Sequence, residues 1–457
     1  MFTTEDSKSH SKKNFKSIRD LNQNSSFHRI ILYSYLIIAT IAQMSCKKNE
    51  ANPDQPVVSW LHAHAIPVNN ADPVSPEPNL SVLKEIIGDA RLVGLGEATH
   101  GTTEFWGIRQ KVSEYLIKEM GFTAILMEAG FPNSLYINEY ITNGTGTAAE
   151  AHEKLGTWRY QEMRDLIEWM HNYNLEYADQ GTVLQYIGYD CAFHNWIQAI
   201  NLISEYIQSV DSTAEPDIKE RLNNYTTDDA EYVLDYFVSF AEEFISKSSD
   251  SEYHLILRIV ENLVPNWTVW YNVYNDLPDL GIRDEFNLEN VNWIINNMLN
   301  GGKVIIWAHN GHVGNTILTD NQDTEAQMLG SRLKIQFGQD YYVIATEFYK
   351  GEFLAWDRCE NHEFLFTIHQ AALPFTDTYA YQFHLADIPL FFLDLRQVNY
   401  SLQETEWLMG PLNMRFIGAT YCKTYDREYY SRPVYLPNEY DGIIFFEDTH
   451  PAQSISF

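Results

Sequence analysis

Cysteine is scarce in this chain: four in 457 residues, none in a Cys-x-x-Cys pair, which excludes a disulfide scaffold and a cysteine metal knuckle. Basic residues are short as well, with 31 Lys and Arg against 62 Asp and Glu and a formal charge of −31. So acidic a chain lacks the basic patch that nucleic-acid binding needs. Its field favours cationic or neutral small molecules and keeps the protein soluble. No apolar run reaches the roughly 20 residues of a spanning helix. There is no Gly-x-Ser-x-Gly elbow for an ordinary serine hydrolase, and no Gly-x-Gly-x-x-Gly or P-loop pattern for a nucleotide cofactor. What is present is apolar material: 45% hydrophobic and 14% aromatic residues, ample for a large core.

The N-terminus is unlike the rest. Lys8, Lys12, Lys13, Lys16, Arg19 and Arg29 precede an apolar run at 30–42, the length of a signal-peptide core. The run closes on Ser45-Cys46, which resembles a bacterial lipoprotein cleavage site with Cys46 as the lipidated first residue. The expectation is an exported protein facing the periplasm or cell exterior, touching the membrane only through a lipid anchor. Cys191, Cys359 and Cys422 remain in the mature chain, an odd number. Residues 47–79, rich in Asn, Asp and Pro, read as a tether with one helix around 57–65, leaving 80–457 as a single domain.

That domain is organised around 91–109, RLVGLGEATHGTTEFWGIR. A short buried strand at 92–95 enters a turn holding Glu97 and His100, and a helix over 102–120 follows, closed by Gly121. Gly94, Gly96 and Gly101 are expected to supply positive φ and so aim both polar side chains into one crevice. Further strands are expected at 123–127, 183–188, 303–307, 341–348, 390–395 and 442–446, with a hairpin partner at 352–356. Strands alternating with helices predict an α/β fold: a mainly parallel central sheet flanked by helices. Residues 196–300 read as helix after helix, a large all-helical insertion forming a deep cleft. Its dense aromatics at helical spacing are mostly core, with some available to line the cleft.

Polar residues recur where these strands end. Glu97 and His100 follow the first, Glu128 the second, Asp190 the third, and His309 and His312 the fourth. Parallel strands would bring them to one sheet edge, where ligands of open α/β sheets collect. Such a cluster allows two chemistries. An imidazole can take a proton from water while a carboxylate fixes its tautomer, or the same residues can hold zinc or iron. Trp158, Asp190 and Arg283 read as bracing groups.

In this order, GEATHG at 96–101, Arg109, MEAG around Glu128 and WAHNGHV at 307–313 resemble the erythromycin esterase family of hydrolases. Arg283-Asp284, LGSRLKIQFG at 329–338 and YDGIIFFED at 440–448 agree, so the resemblance covers roughly 80–451. It implies an α/β core with a helical part forming a deep cleft, and hydrolysis of carboxylic esters, the characterised members opening macrolide lactone rings. The mechanism it implies is metal-independent, with no cofactor and no covalent intermediate. By the resemblance His100 is the general base, and Glu97 and Glu128 orient and tune the site. Arg109 is a required cation, and His309 and His312 stand near the attacked carbonyl. The expected partner is a small ester or lactone, bound by a monomer. Two alternatives stay open: a metal-dependent hydrolase using the same cluster, and a non-catalytic exported ligand-binding protein.

Overall fold

Leu92–Glu97 (β1) buries all six residues, as a strand covered on both sheet faces must. Around it are Phe122–Gly130 (β2), Gln185–Asp190 (β3), Lys303–His309 (β4), Tyr341–Asp357 (β5), Leu390–Asp394 (β6) and Gly442–Thr449 (β7). These come from a computed structural model describing residues 55–456 except 178, 180, 182, 193–195, 276–280, 320–324 and 360–364. The expected export signal at 1–46 and lipidation at Cys46 lie outside the described residues.

The strands run β3-β2-β4-β1-β5-β7 in parallel, with β6 antiparallel on β7 and a two-residue strand, Ile66–Pro67, antiparallel beyond it. The fold is therefore mixed α/β with a largely parallel central sheet and many helices. Successive side chains point to opposite faces. Val93, Ile305 and Trp307 join the core packed against the helix Thr103–Met120, while Leu92, Val304 and Ile306 join the core on the other face. Between β3 and β4, seven helices follow one another among the described residues, from Ile197–Val210 to Ile282–Asn297. Their buried residues are continuous with that second core.

Three expectations are corrected. Gly94, Gly96 and Gly101 do not take positive φ. They are needed for close approach: a Cβ on Gly96 would overlap the Asn310 side chain, and one on Gly101 the Leu354 carbonyl. The strand expected as a separate hairpin arm at 352–356 is the continuation of β5 through Gly351, and its antiparallel partner is Phe366–Gln370. Ordered packing begins before residue 80, because the helix Gln55–His64 buries Trp60 and Leu61 and Ile66–Pro67 pairs with Phe391 and Phe392. Cys359 and Cys422, left unassigned by the sequence, form a disulfide, and Cys191 is buried outside it. Pairs so far apart in sequence leave no local signature.

Candidate active site

Register places the first two site residues together, since Glu97 of β1 and His309 of β4 are cross-strand partners at the carboxyl edge. Thr346 of β5 locks both turns. Its hydroxyl accepts the Ala98 N–H at 2.9 Å, while its backbone exchanges hydrogen bonds with the Asn310 side chain at 2.8 and 3.1 Å.

Two charge clusters meet there. In the first, the Glu97 carboxylate is 1% exposed and stands 2.7 Å from Nδ1 of His100 and 2.5 Å from Arg109 Nη2. Arg109 meets the second carboxylate oxygen, Oε2, while His100 meets Oε1. Arg109 is 2% exposed, its Nε donates to the Phe105 carbonyl at 3.2 Å, and its guanidinium stacks on Trp106 and Trp307 at 4.9 and 4.6 Å. A carboxylate on Nδ1 makes that nitrogen the donor, so in the neutral ring of His100 the free lone pair is on Nε2. The Trp106 indole donates to the His100 carbonyl at 3.0 Å and fixes the turn.

In the second cluster, Glu128 receives the His309 backbone N–H at 2.9 Å and Arg283 Nη2 at 2.8 Å. Burial alone would raise its pKa. The charges of His312, Arg283 and His100, with that N–H, hold it well below the usual carboxylate range. Arg283 also grips Asp190, through Nε at 3.0 Å and through Nη2. His312 Nδ1 bonds to Asp284 at 2.8 Å, and its Nε2 stands 3.3 Å from Arg283 Nη1 and 3.6 Å from Glu128. Against burial, which lowers it, Asp284 and Glu128 raise the His312 pKa to about 9. The imidazolium balances a site where Glu128, Asp190 and Asp284 otherwise face one guanidinium.

His309 lies between the clusters, its ring centroid 5.5 Å from that of His100 and 6.5 Å from that of His312. Burial, then the charges of His100 and His312, push its pKa well below the ordinary imidazole value, so it is neutral. Its Nδ1 accepts the Gly311 N–H at 3.3 Å, which assigns the ring proton to Nε2. That Nε2 is buried and makes no hydrogen bond of good geometry, the Ala98 carbonyl lying near enough to raise the ring's pKa.

The rim comes from two loops. The Trp158 ring meets His100 edge-on at 4.8 Å, and its indole donates to the Glu128 carbonyl at 3.0 Å. Its backbone holds φ at 52°, a left-handed conformation that is uncommon away from glycine. From β-strand-flanked loop residues, Phe416 packs 5.9 Å from the His309 ring, and Ile417 N–H donates to the Ala98 carbonyl at 2.9 Å. A Cβ on Gly418 would stand 3.7 Å from His100 Nε2.

The structure thus brings together His100, Glu97, Glu128, His309 and His312, and sets Arg109 against Glu97. It adds Arg283 and Asp190, read from sequence only as bracing groups, and Asp284, which looked like an ordinary acidic residue of a helix first turn. No sequence signal marked Phe416 or Gly418. Among the described residues no group of three or more His, Cys, Asp or Glu side chains is arranged to hold a metal ion.

The fold and site define a class: an α/β protein with a histidine–carboxylate–arginine cluster at the carboxyl edge of a parallel sheet. The chain belongs to the erythromycin esterase family, whose model matches residues 117–449. It is 24% identical over 329 residues to erythromycin esterase type II of Escherichia coli, covering 64% of this chain and 77% of that one. To a putative hydrolase of Bacillus subtilis it is 21% identical, over 93% of this chain and 98% of the relative. Among solved structures, a Bacillus cereus protein aligns with a TM-score of 0.72 at 24% identity, over 88% and 99% of the two chains. An erythromycin esterase mutant in its open conformation aligns with a TM-score of 0.65 at 16% identity, over 86% and 99%. These structural likenesses concern the fold.

Proposed function

We propose that this protein is a hydrolase that cleaves carboxylic esters, macrolide-type lactones among them, with a water molecule activated by His100. Family membership supports the hydrolase class. One observation carries the mechanism: Glu97 holds Nδ1 of His100, leaving Nε2 as a bare base beside the buried Nε2–H of His309. Nε2 of His100 takes a proton from water as the oxygen bonds to the carbonyl carbon. His309 Nε2–H donates to the oxyanion that forms, a neutral donor already buried and oriented. As the C–O bond breaks, the His312 imidazolium gives its proton to the departing alkoxide, and the proton on His100 restores the balance through solvent. Acid and alcohol are the products, and no covalent intermediate is needed.

Arg109 is a positioning residue in this scheme. It neutralises Glu97 and does not reach the substrate. The Glu128–Arg283–Asp190 and His312–Asp284 contacts hold the acid in place. A metal-dependent reaction on the same residues draws less support, since Glu97 and Glu128 each already face a guanidinium. Mass spectrometry of a panel of macrolides, smaller lactones and aryl esters incubated with the protein tests the reading. Gain of one water by any of them is expected, and no turnover across the panel contradicts it.

The helices Ile197–Asn297 are read as the cleft walls over this site, within a single catalytic domain of a monomer. Residues 1–46 are read as the export signal, with Cys46 carrying the lipid anchor. The Cys359–Cys422 disulfide supports an oxidising compartment. Fatty-acid labelling of the full chain, lost in Cys46→Ala, tests the anchor.

A further inference from the structure

Aromatic residues at helical spacing are ordinarily core, yet in the helical region one group of them is not. Trp196, Tyr225, Trp267, Trp270, Tyr271 and Tyr274 line an open cavity of about 250 Å³, with Asn275 the one non-aromatic side chain among the described lining residues. Tyr274 is 80% exposed, Tyr271 47% and Trp196 44%, a cost in hydrated apolar surface that packing does not explain. The rings are ordered in pairs: Trp196 stacks on Tyr225 with an interplanar angle of 21°, and Trp267 on Tyr271 at 15°.

The cavity wall is tied to the active site. The Tyr225 hydroxyl is hydrogen-bonded to Asn266, and Asn266 Nδ2 donates to the Cys191 carbonyl at 3.0 Å. The Cys191 N–H reaches Asn287 Oδ1 at 2.9 Å, and Asn287 Nδ2 reaches Asp190, the carboxylate gripped by Arg283, at 3.2 Å. The links from Asn266 onward are buried, and the Tyr225 hydroxyl is partly so. They fix the aromatic wall relative to the catalytic edge of the sheet.

We propose that this cavity binds an alkylammonium group. None of the described lining residues is charged, so none of them repels a cation, and the chain's charge of −31 draws cations to it. Aromatic faces attract ammonium ions through their quadrupoles, most strongly Trp. Sugar hydroxyls would have to be met by the polar edges of these rings, since Asn275, the one non-aromatic residue of the described lining, already spends its Nδ2 on the Tyr271 carbonyl at 2.7 Å. That the ammonium belongs to an ester substrate rests on the esterase reading above; the binding itself does not.

The test is calorimetric titration of the full protein, in salt at about 0.15 M to screen the general field, with choline and with its uncharged isostere 3,3-dimethylbutan-1-ol. Saturable choline binding at least about tenfold tighter than the isostere is expected. Tyr274→Ala, at an exposed position that does not threaten folding, should weaken it by roughly 2- to 30-fold, the range of one cation–π contact. Trp270→Ala should do the same and Trp270→Phe recover most of the loss. His100→Ala should bind choline unchanged, which separates failure of this site from failure of the esterase reading. Equal binding of the two probes, no saturable binding, or indifference to both alanine variants would overturn the proposal.

Discussion

Arg109 and Glu97 form an ion pair at 2.5 Å whose side chains are 2% and 1% exposed, with the guanidinium against Trp106 and Trp307 and His100 on the same carboxylate. A charged pair so deep stabilises only while both members are present, because removing one leaves the other desolvated and unpaired. Arg109→Ala is therefore expected to destabilise the protein by about 3–5 kcal/mol. Urea unfolding of the variant measures it. The double variant Glu97→Gln/Arg109→Met should lose clearly less than the two single changes summed. Additive losses would mean the two charges do not act as a pair.

His312 gives the pH dependence. Its folded-state pKa is raised from 6.5 to about 9, mainly by Asp284 and Glu128 working against burial. A raised pKa confers stability that is full below the unfolded value and lost as pH rises through the folded one. Unfolding midpoints should fall between about pH 6 and about pH 10, and His312→Asn should flatten that part of the profile. If His312 is the acid, kcat should fall over the same alkaline limb. A variant that keeps the wild-type alkaline limb in both measurements would remove His312 from the mechanism.

Exhaustive dialysis against a chelator should leave kcat unchanged, since both active-site glutamates are paired with arginines. Loss of activity with recovery on adding one divalent metal would favour the metal-dependent alternative.

Much of the site was legible because polar residues stood directly after apolar runs, and parallel pairing turned sequence position into proximity. Glu97, His100, Glu128 and His309 follow that logic. Arg109 did not, because nothing in a helix's sequence says that a guanidinium can be capped by Trp106 and Trp307 and point inward. Asp284 was hidden for a different reason, since an acidic residue in the first turn of a helix ordinarily meets the helix dipole. Here it accepts from His312 and from the Leu329 N–H. Gly96 and Gly101 were noticed for the wrong property: their service is room for Asn310 and Leu354, a tertiary fact that φ preferences do not carry. Likewise Gly351 looked like a strand end, yet β5 runs on through it to Asp357.

The central claim is that His100 activates the attacking water, and comparison of His100→Ala with the wild type tests it most directly. Initial rates would be measured on whichever ester of the panel the wild type hydrolyses, with circular dichroism and the unfolding midpoint confirming that the variant is folded. Loss of a general base predicts kcat lower by about 10²–10⁴-fold with KM little changed. A folded His100→Ala protein that hydrolyses the same ester at the wild-type rate would contradict the account.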